Sequence, residues 1–149
     1  MQDYISFGQL VPSSSDVIRN QAELNRIPND VEDVWIAQFP LSKQNKLVLN
    51  QQHAMKNLTI GINALNGISM LELNGLTALE RVVIMRGGLY SGSGRLRVTN
   101  CAKLISIDIG EYAFMKYKNL ELTNLTLLQR ISIGSNAFQI IQTTVMEST

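Results

Sequence analysis

The sequence predicts a mainly β solenoid of about five coils, each 24 or 25 residues long, with two parallel sheets. Three observations lead to this prediction. Apolar residues recur at a fixed period, each period contains two short segments that alternate in polarity, and no segment between them has the periodicity of a long helix. A repeat of roughly 20–50 residues is typical of a solenoid, because each unit buries its apolar face only against its neighbours.

The first 30 residues precede the repeat and predict a short capping helix. Ser15 or Asp16 is a suitable N-cap, and Pro28 ends the segment. The apolar residues between Val17 and Arg26 are Val17, Ile18, Ala22 and Leu24. A helix here would cover the open end of the first coil, which otherwise exposes core side chains and unpaired strand edges.

Residues 31–138 contain the repeat, which is clearest when four leucines are aligned: Leu47, Leu71, Leu96 and Leu120. Seven slots in each of four segments give 28 positions, and Gln52 alone is not apolar. With 45% hydrophobic residues, random placement would fill about 13 of these slots. A fifth, partial copy begins at Val31, 24 residues before Met55.

Each period contains two segments whose side chains alternate between inside and outside, as in a half-buried strand. One set is Leu47–Leu49, Leu71–Leu73, Leu96–Val98 and Leu120–Leu122, and the other is Leu58–Ile60, Val82–Ile84, Ile107–Ile109 and Ile131–Ile133. Stacking the coils therefore produces two parallel sheets. Glu72, Arg97 and Glu121 fall on one outward column, where neighbours alternate in charge.

Residues 139–149 form a C-terminal tail after the last complete repeat. Ile140, Ile141 and Val145 are the apolar residues available for a poor extra strand. We therefore expect a weakly covered C-terminal coil, which favours self-association through that end.

The second half of each repeat resembles the leucine-rich repeat family, whose core reads L-x-x-L-x-L-x-x-[NC]-x-L. Residues 55–65 read MKNLTIGINAL and residues 128–138 read LQRISIGSNAF, with Asn63 and Asn136 in the Asn slot. The I-G-x-x-A-F endings at Ile109–Phe114 and Ile133–Phe138 look like the bacterial surface protein A-like branch. The resemblance implies a right-handed coil that binds partners through residues pointing outward from its main sheet.

Composition argues against several classes of partner. The formal net charge is +1 with both signs mixed along the chain, so we expect no nucleic-acid partner. No apolar run approaches the roughly 20 residues of a spanning helix, so we expect no membrane insertion. A lone cysteine and no apparent signal peptide in Met1–Leu10 favour the cytoplasm, whereas a fragment of a longer protein is compatible with the cell surface.

The sequence offers no arrangement suited to catalysis. His53 is the only histidine and lies on a bend, and Cys101, the only cysteine, occupies an apolar core slot. A parallel β-helix enzyme acting on polysaccharide would need clustered carboxylates, but only Asp33 and Asp108 lie on the main outward face. We therefore predict a non-enzymatic protein without cofactor or metal.

The outward columns of the main sheet are the predicted binding surface. They run Asp33, Asn57, Arg81, Ser106, Arg130; then Trp35, Thr59, Val83, Asp108, Ser132; then Ala37, Gly61, Met85, Gly110, Gly134. The residues selected as binding candidates for a protein or peptide are Trp35, Arg81, Val83, Met85, Asp108 and Arg130. Packing under the N-terminal segment is the alternative interpretation of Trp35.

A glycine-rich loop at residues 86–95 holds the extra residue of the single 25-residue repeat. Arg86, Tyr90 and Arg95 are candidates for a secondary binding loop, since exposed Arg and Tyr are enriched at binding hot spots. A flexible connection without a ligand is the alternative. We therefore predict an interaction module, with a structural fragment that contacts its neighbours through the coil ends as the second hypothesis.

Overall fold

The computed structural model describes residues 16–147, and this range contains eleven short β-strands and one short helix. In chain order the elements are β1 (Asp16–Ile18), α1 (Gln21–Leu24), β2 (Asp33–Ile36), β3 (Lys46–Leu49), β4 (Asn57–Ile60), β5 (Met70–Asn74), β6 (Arg81–Ile84), β7 (Arg95–Thr99), β8 (Ser106–Ile109), β9 (Asn119–Thr123), β10 (Arg130–Ile133) and β11 (Thr143–Glu147).

The strands form two parallel sheets. The six-stranded sheet has the order β1-β2-β4-β6-β8-β10, and the five-stranded sheet has the order β11-β9-β7-β5-β3. Each of five coils, from β2–β3 to β10–β11, contributes one strand to each sheet. The prediction of a mainly β solenoid with two parallel sheets and about five coils is confirmed.

Equivalent core residues of successive coils lie in register. Leu47 pairs with Leu71, Leu71 with Leu96, and Leu96 with Leu120 in the five-stranded sheet. None of these four leucines is more than 6% exposed. Fully burying a leucine contributes about 1.5–3 kcal/mol, so these columns supply much of the stabilisation of the fold.

The bends that follow β4, β6, β8 and β10 each place an apolar residue in the left-handed region of backbone conformation. Leu65, Leu89, Phe114 and Phe138 have φ between 50° and 58°, and each is at most 6% exposed. This conformation costs a residue with a Cβ roughly 1–2 kcal/mol. Burial of the large side chain that it turns inward offsets that cost.

The bends that follow the strands of the five-stranded sheet carry an asparagine ladder that the sequence analysis did not predict. Asn124 Nδ2 donates to Asn100 Oδ1 at 2.6 Å, and Asn100 Nδ2 donates to Asn74 Oδ1 at 3.2 Å. Asn100 and Asn124 have φ of 58° and 56°, a region that asparagine tolerates better than most residues. The ladder thus joins three coils through side chains as well as through backbone.

The extra residue of the third coil lies between β6 and β7, as predicted. These strands begin 14 residues apart, whereas β4 and β5 begin 13 apart. Gly92 and Gly94 pack so closely on the preceding coil that a Cβ on either would overlap the carbonyl oxygen of Ile68 or Ser69. The inserted segment is therefore packed against its neighbour.

The predicted extent of the N-terminal helix is wrong. Asp16–Ile18 forms strand β1, which pairs with β2 and leaves Ile18 only 4% exposed. Parallel pairing along β2 and burial of Ile18 therefore outweigh the local helical pattern. Ser15, the other proposed N-cap, lies outside the described residues.

Helix α1 is the short element that remains of that prediction. Asn20 is its N-cap, and the Asn20 side chain accepts a hydrogen bond from the Glu23 N–H at 2.9 Å. Leu24 is 4% exposed and belongs to the hydrophobic core cluster.

The sheets extend beyond residues 31–138 at both ends. Strand β1 adds to the six-stranded sheet, and β11 pairs with β9 in the five-stranded sheet. Val145 lies in β11, as expected for an extra strand, whereas Ile140 and Ile141 precede it.

The predicted charge column is confirmed. Glu72 pairs with Arg97, and Arg97 pairs with Glu121. The Arg97 guanidinium lies 3.6 Å from a carboxylate oxygen of Glu72 and 3.0 Å from one of Glu121. The hydrogen bond to Glu121 is the main cause of a raised pKa of Arg97.

Reversing the central charge should destabilise this column. We expect Arg97→Glu to lower the free energy of unfolding by about 1–2 kcal/mol, because two attractive cross-strand pairs become repulsive. The loss should shrink at about 1 M salt, where the Debye length is only about 3 Å. Urea unfolding at low and high salt measures both effects.

The matched control reverses all three charges with Glu72→Arg, Arg97→Glu and Glu121→Arg. This variant keeps the alternation and should recover most of the lost stability. A triple variant as unstable as Arg97→Glu would show that the column does not act through charge pairing.

Candidate protein-binding surfaces

The outward face of the six-stranded sheet carries the predicted columns. The register aligns Thr59 with Val83, Val83 with Asp108, and Asp108 with Ser132. Backbone N–H groups continue the stacking beyond the strands, and Met85 N–H donates to the Ile60 carbonyl at 2.8 Å. Val83, Met85 and Asp108 therefore lie on neighbouring columns of one face.

A shallow depression of about 670 Å³, which we call the face depression, lies on this surface. Three of the six candidates predicted on the sheet face line it: Val83, Met85 and Asp108. The residues that complete its lining are Ile62, Ile84, Arg86, Ile109, Gly110, Glu111 and Ser132. Gly110 cannot carry a side chain here, because a Cβ would lie 2.8 Å from the Arg86 amide nitrogen.

Charged residues at the edge of the face depression differ in how firmly they are held. Arg130 Nη2 lies 3.1 Å from Asp108 Oδ2, so Asp108 is neutralised within the protein. Arg81 is exposed, and its ion pair is a long 3.9 Å contact with Glu80. Arg81 is therefore the cation more available to a partner, although it does not line the depression.

Trp35 does not behave as an exposed anchor. It occupies the predicted column, paired with Val17 and Thr59, but its side chain is only 8% exposed. Its Nε1 is buried and has no hydrogen-bond partner among residues 16–147. The interpretation of Trp35 as an accessible anchor is therefore wrong, because a buried indole cannot contact a partner unless its cover moves.

A second cavity of about 450 Å³, the tyrosine groove, lies on the bends beside the face depression. Its lining residues are Asn63, Asn66, Arg86, Gly87, Tyr90 and Tyr112. Arg86 lines both cavities, so the face depression and the tyrosine groove lie side by side on one continuous surface.

Tyr90 is held at the edge of the tyrosine groove by two contacts. Its backbone N–H donates to Asn66 Oδ1 at 2.6 Å, and the Lys116 ammonium lies 5.9 Å from the centre of its ring. Arg86 and Tyr90 therefore share a cavity. Arg95 does not line it, because it begins β7 in the five-stranded sheet, with Nη2 3.8 Å from Met70 Sδ. The structure therefore does not bring Arg95 into this cavity, and its role in a secondary binding loop stays a prediction.

The C-terminal end of the solenoid exposes side chains from core columns. Ile133 and Met146 occupy inward slots but are 47% and 52% exposed. A small cavity of about 210 Å³ opens here, lined by Leu122, Leu125, Thr126, Leu128, Ile131, Met146 and Glu147. This end therefore presents an apolar surface beside the outermost strands β10 and β11.

Chemically reactive groups are few and scattered. His53 is exposed on a turn, as predicted, and Cys101 is fully buried in its core column. Between residues 16 and 147, no group of three or more His, Cys, Asp or Glu side chains is placed to bind a metal. No helix in this range is long and apolar enough to cross a membrane.

The tyrosine groove combines residues that the sequence did not select together. Tyr112 is 41% exposed and stands in the slot that Asn63 and Asn136 occupy in other coils. Gly87 stands in that same slot one coil earlier, and Asn63 two coils earlier. Reading the slot as a surface column of mixed residues would have grouped Tyr112 with Gly87, where the Asn63 side chain occupies the space that a Cβ would need.

Comparison of the chain with protein-family models, curated proteins and solved structures found no match.

The thiol of Cys101 should be inert in the folded protein. It is fully buried near the Leu73 and Thr99 carbonyls, and burial is the main cause of its raised pKa. A thiolate-selective disulfide reagent should therefore label unfolded protein rapidly and folded protein only at the rate of unfolding. Comparable labelling rates with and without denaturant would contradict the packing described for this column.

Proposed function

We propose that this protein is a non-enzymatic interaction module of leucine-rich repeat type, with a right-handed coil. It binds a protein or peptide through the outward face of its six-stranded sheet. The observation that carries the proposal is the face depression, which brings Val83 and Met85 together with Asp108 and Arg86. The same face would serve an adhesion protein or an intracellular scaffold.

The chemistry of the face depression suits a peptide-like partner. Met85 has a flexible, polarizable side chain that adapts to irregular apolar surfaces. The Arg86 side chain takes part in no hydrogen bond or ion pair within residues 16–147, so its planar guanidinium is free to pair with a carboxylate. An apolar centre beside a free arginine is typical of a binding hot spot.

Neighbouring surface residues extend the proposed interface. Arg81 is exposed on the first column, and Arg130 borders the face depression through its ion pair with Asp108. Charges at the rim of an interface act mainly on association rate and specificity, so these arginines favour an acidic or mixed-charge partner.

The second candidate function is assembly through the coil ends, which the exposure of Ile133 and Met146 favours. Apolar side chains that would be covered by another coil remain half-exposed beside unpaired strand edges. A second copy of the chain is the proposed partner at this end.

A double variant with Val83→Glu and Met85→Glu tests the face. We expect it to lose a partner that wild type captures from native lysate, with affinity lowered at least about thirtyfold, because two charges would be desolvated on binding. Quantitative pull-down followed by titration of the captured partner measures the change.

The matched control is Val48→Lys, which places a charge on the outward face of the opposite sheet next to Glu72. This variant should capture the same partner as wild type. Equal capture by both variants, with unchanged thermal unfolding, would exclude the face depression as the interface.

The end-contact hypothesis has its own test. Wild type should sediment as a reversible oligomer, and Ile133→Asp with Met146→Glu should shift it to monomer, because charges on the contact surface prevent burial. Sedimentation velocity over a concentration series gives the result. A strictly monomeric wild type whose residues 120–138 are strongly protected from hydrogen exchange would exclude self-association through this end.

A further inference from the structure

The sequence contains two Asn-Gly pairs, Asn66-Gly67 and Asn74-Gly75, which differ sharply in their surroundings. In such a pair the backbone nitrogen of the glycine can attack the side-chain carbonyl carbon of the asparagine. Glycine permits this attack best because it has no Cβ to obstruct the approach. The attack requires the glycine N–H to be free and the local backbone to rearrange.

The Asn74-Gly75 pair is locked into the coil stack. Gly75 N–H donates to the Thr99 carbonyl at 3.0 Å, and Asn74 pairs with Thr99 at the end of β5. Asn74 Oδ1 also accepts from Asn100 Nδ2 at 3.2 Å. Cyclisation here would break the hydrogen bond that the Gly75 N–H donates to the Thr99 carbonyl.

The Asn66-Gly67 pair lies in an exposed turn and lacks these restraints. Asn66 and Gly67 are both exposed, whereas Asn74 and Gly75 are half-buried. Among the contacts of residues 16–147, neither Gly67 N–H nor Asn66 Nδ2 takes part in a hydrogen bond. The nucleophile and the leaving group are therefore both unhindered.

The Asn66 carbonyl group is also polarised. Its Oδ1 accepts a hydrogen bond from the Tyr90 N–H at 2.6 Å. A donor at this oxygen stabilises the negative charge that develops when Gly67 nitrogen adds to Cγ, as an oxyanion hole does in acyl transfer.

We propose that Asn66 is a site of spontaneous deamidation in the folded protein. The Gly67 nitrogen forms a bond to Asn66 Cγ, the Cγ–Nδ2 bond breaks, and ammonia leaves with the proton from Gly67. Water then opens the resulting succinimide at either carbonyl, which yields aspartate or isoaspartate. No oxidant, metal or enzyme takes part.

The modification changes the charge of the tyrosine groove. Asn66 lines this groove together with Arg86 and Tyr90, so the new carboxylate lies on the same small surface as the free guanidinium. It lowers the formal net charge of the chain by one from its value of +1. Deamidation therefore converts a groove that attracts anions into one with a neutralised arginine.

Peptide mapping of the aged protein tests the proposal. After incubation of folded wild type in mildly alkaline buffer at physiological temperature, mass spectrometry should show acid and isoaspartate forms at residue 66. We expect the reaction at Asn66 to be at least about tenfold faster than at Asn74, equivalent to a barrier about 1.4 kcal/mol lower.

Two controls make the result decisive. In concentrated urea both pairs should react at similar rates, since the sequence Asn-Gly is the same and the fold is gone. Asn66→Gln should remove the folded-state signal, because the longer side chain forms the cyclic intermediate poorly. Equal rates at the two pairs in folded protein, or a rate difference that persists unchanged in urea, would overturn the proposal.

Discussion

Vertical alignment of equivalent core side chains is the constraint on which this structure depends. Each coil buries its leucines and isoleucines only if the coil above presents the same positions directly over them. A shift of one residue would turn every core side chain outward, because strand side chains alternate with period two. The extra residue after Tyr90 is therefore absorbed in a bend between β6 and β7, and the strands on both sides keep their register.

The bends carry the conformational strain that this alignment requires. Leu65, Leu89, Phe114 and Phe138 all adopt left-handed conformations, although leucine and phenylalanine avoid that region. Stacking helps to hold them: the Phe114 and Phe138 rings are parallel with centroids 5.1 Å apart. Packing thus overrides local backbone preference at the same position of successive coils.

Periodicity in the sequence was sufficient to predict the coil count, both sheets and the column of Glu72, Arg97 and Glu121. Periodicity was not sufficient to predict which outward side chains are covered by other parts of the chain. Alternation places Trp35 on the outward side correctly, yet it contains no information about what covers that side. The helical pattern of residues 17–26 failed for a related reason, since pairing of β1 with β2 is a long-range contact that local propensity cannot anticipate.

The third coil shows where function is best sought in such a repeat. Uniform columns favour stability, yet this coil departs from its neighbours at three positions along one short segment. Met85 stands where the adjacent coils have Gly61 and Gly110, Gly87 replaces an asparagine, and one residue is added after Tyr90. Met85 and Gly87 line the two cavities that meet at Arg86, and the addition follows the tyrosine of the groove. Departures from a regular pattern are expected mainly at functional or strained sites. The third coil is therefore the part of this solenoid whose surface differs from that of the coils on either side.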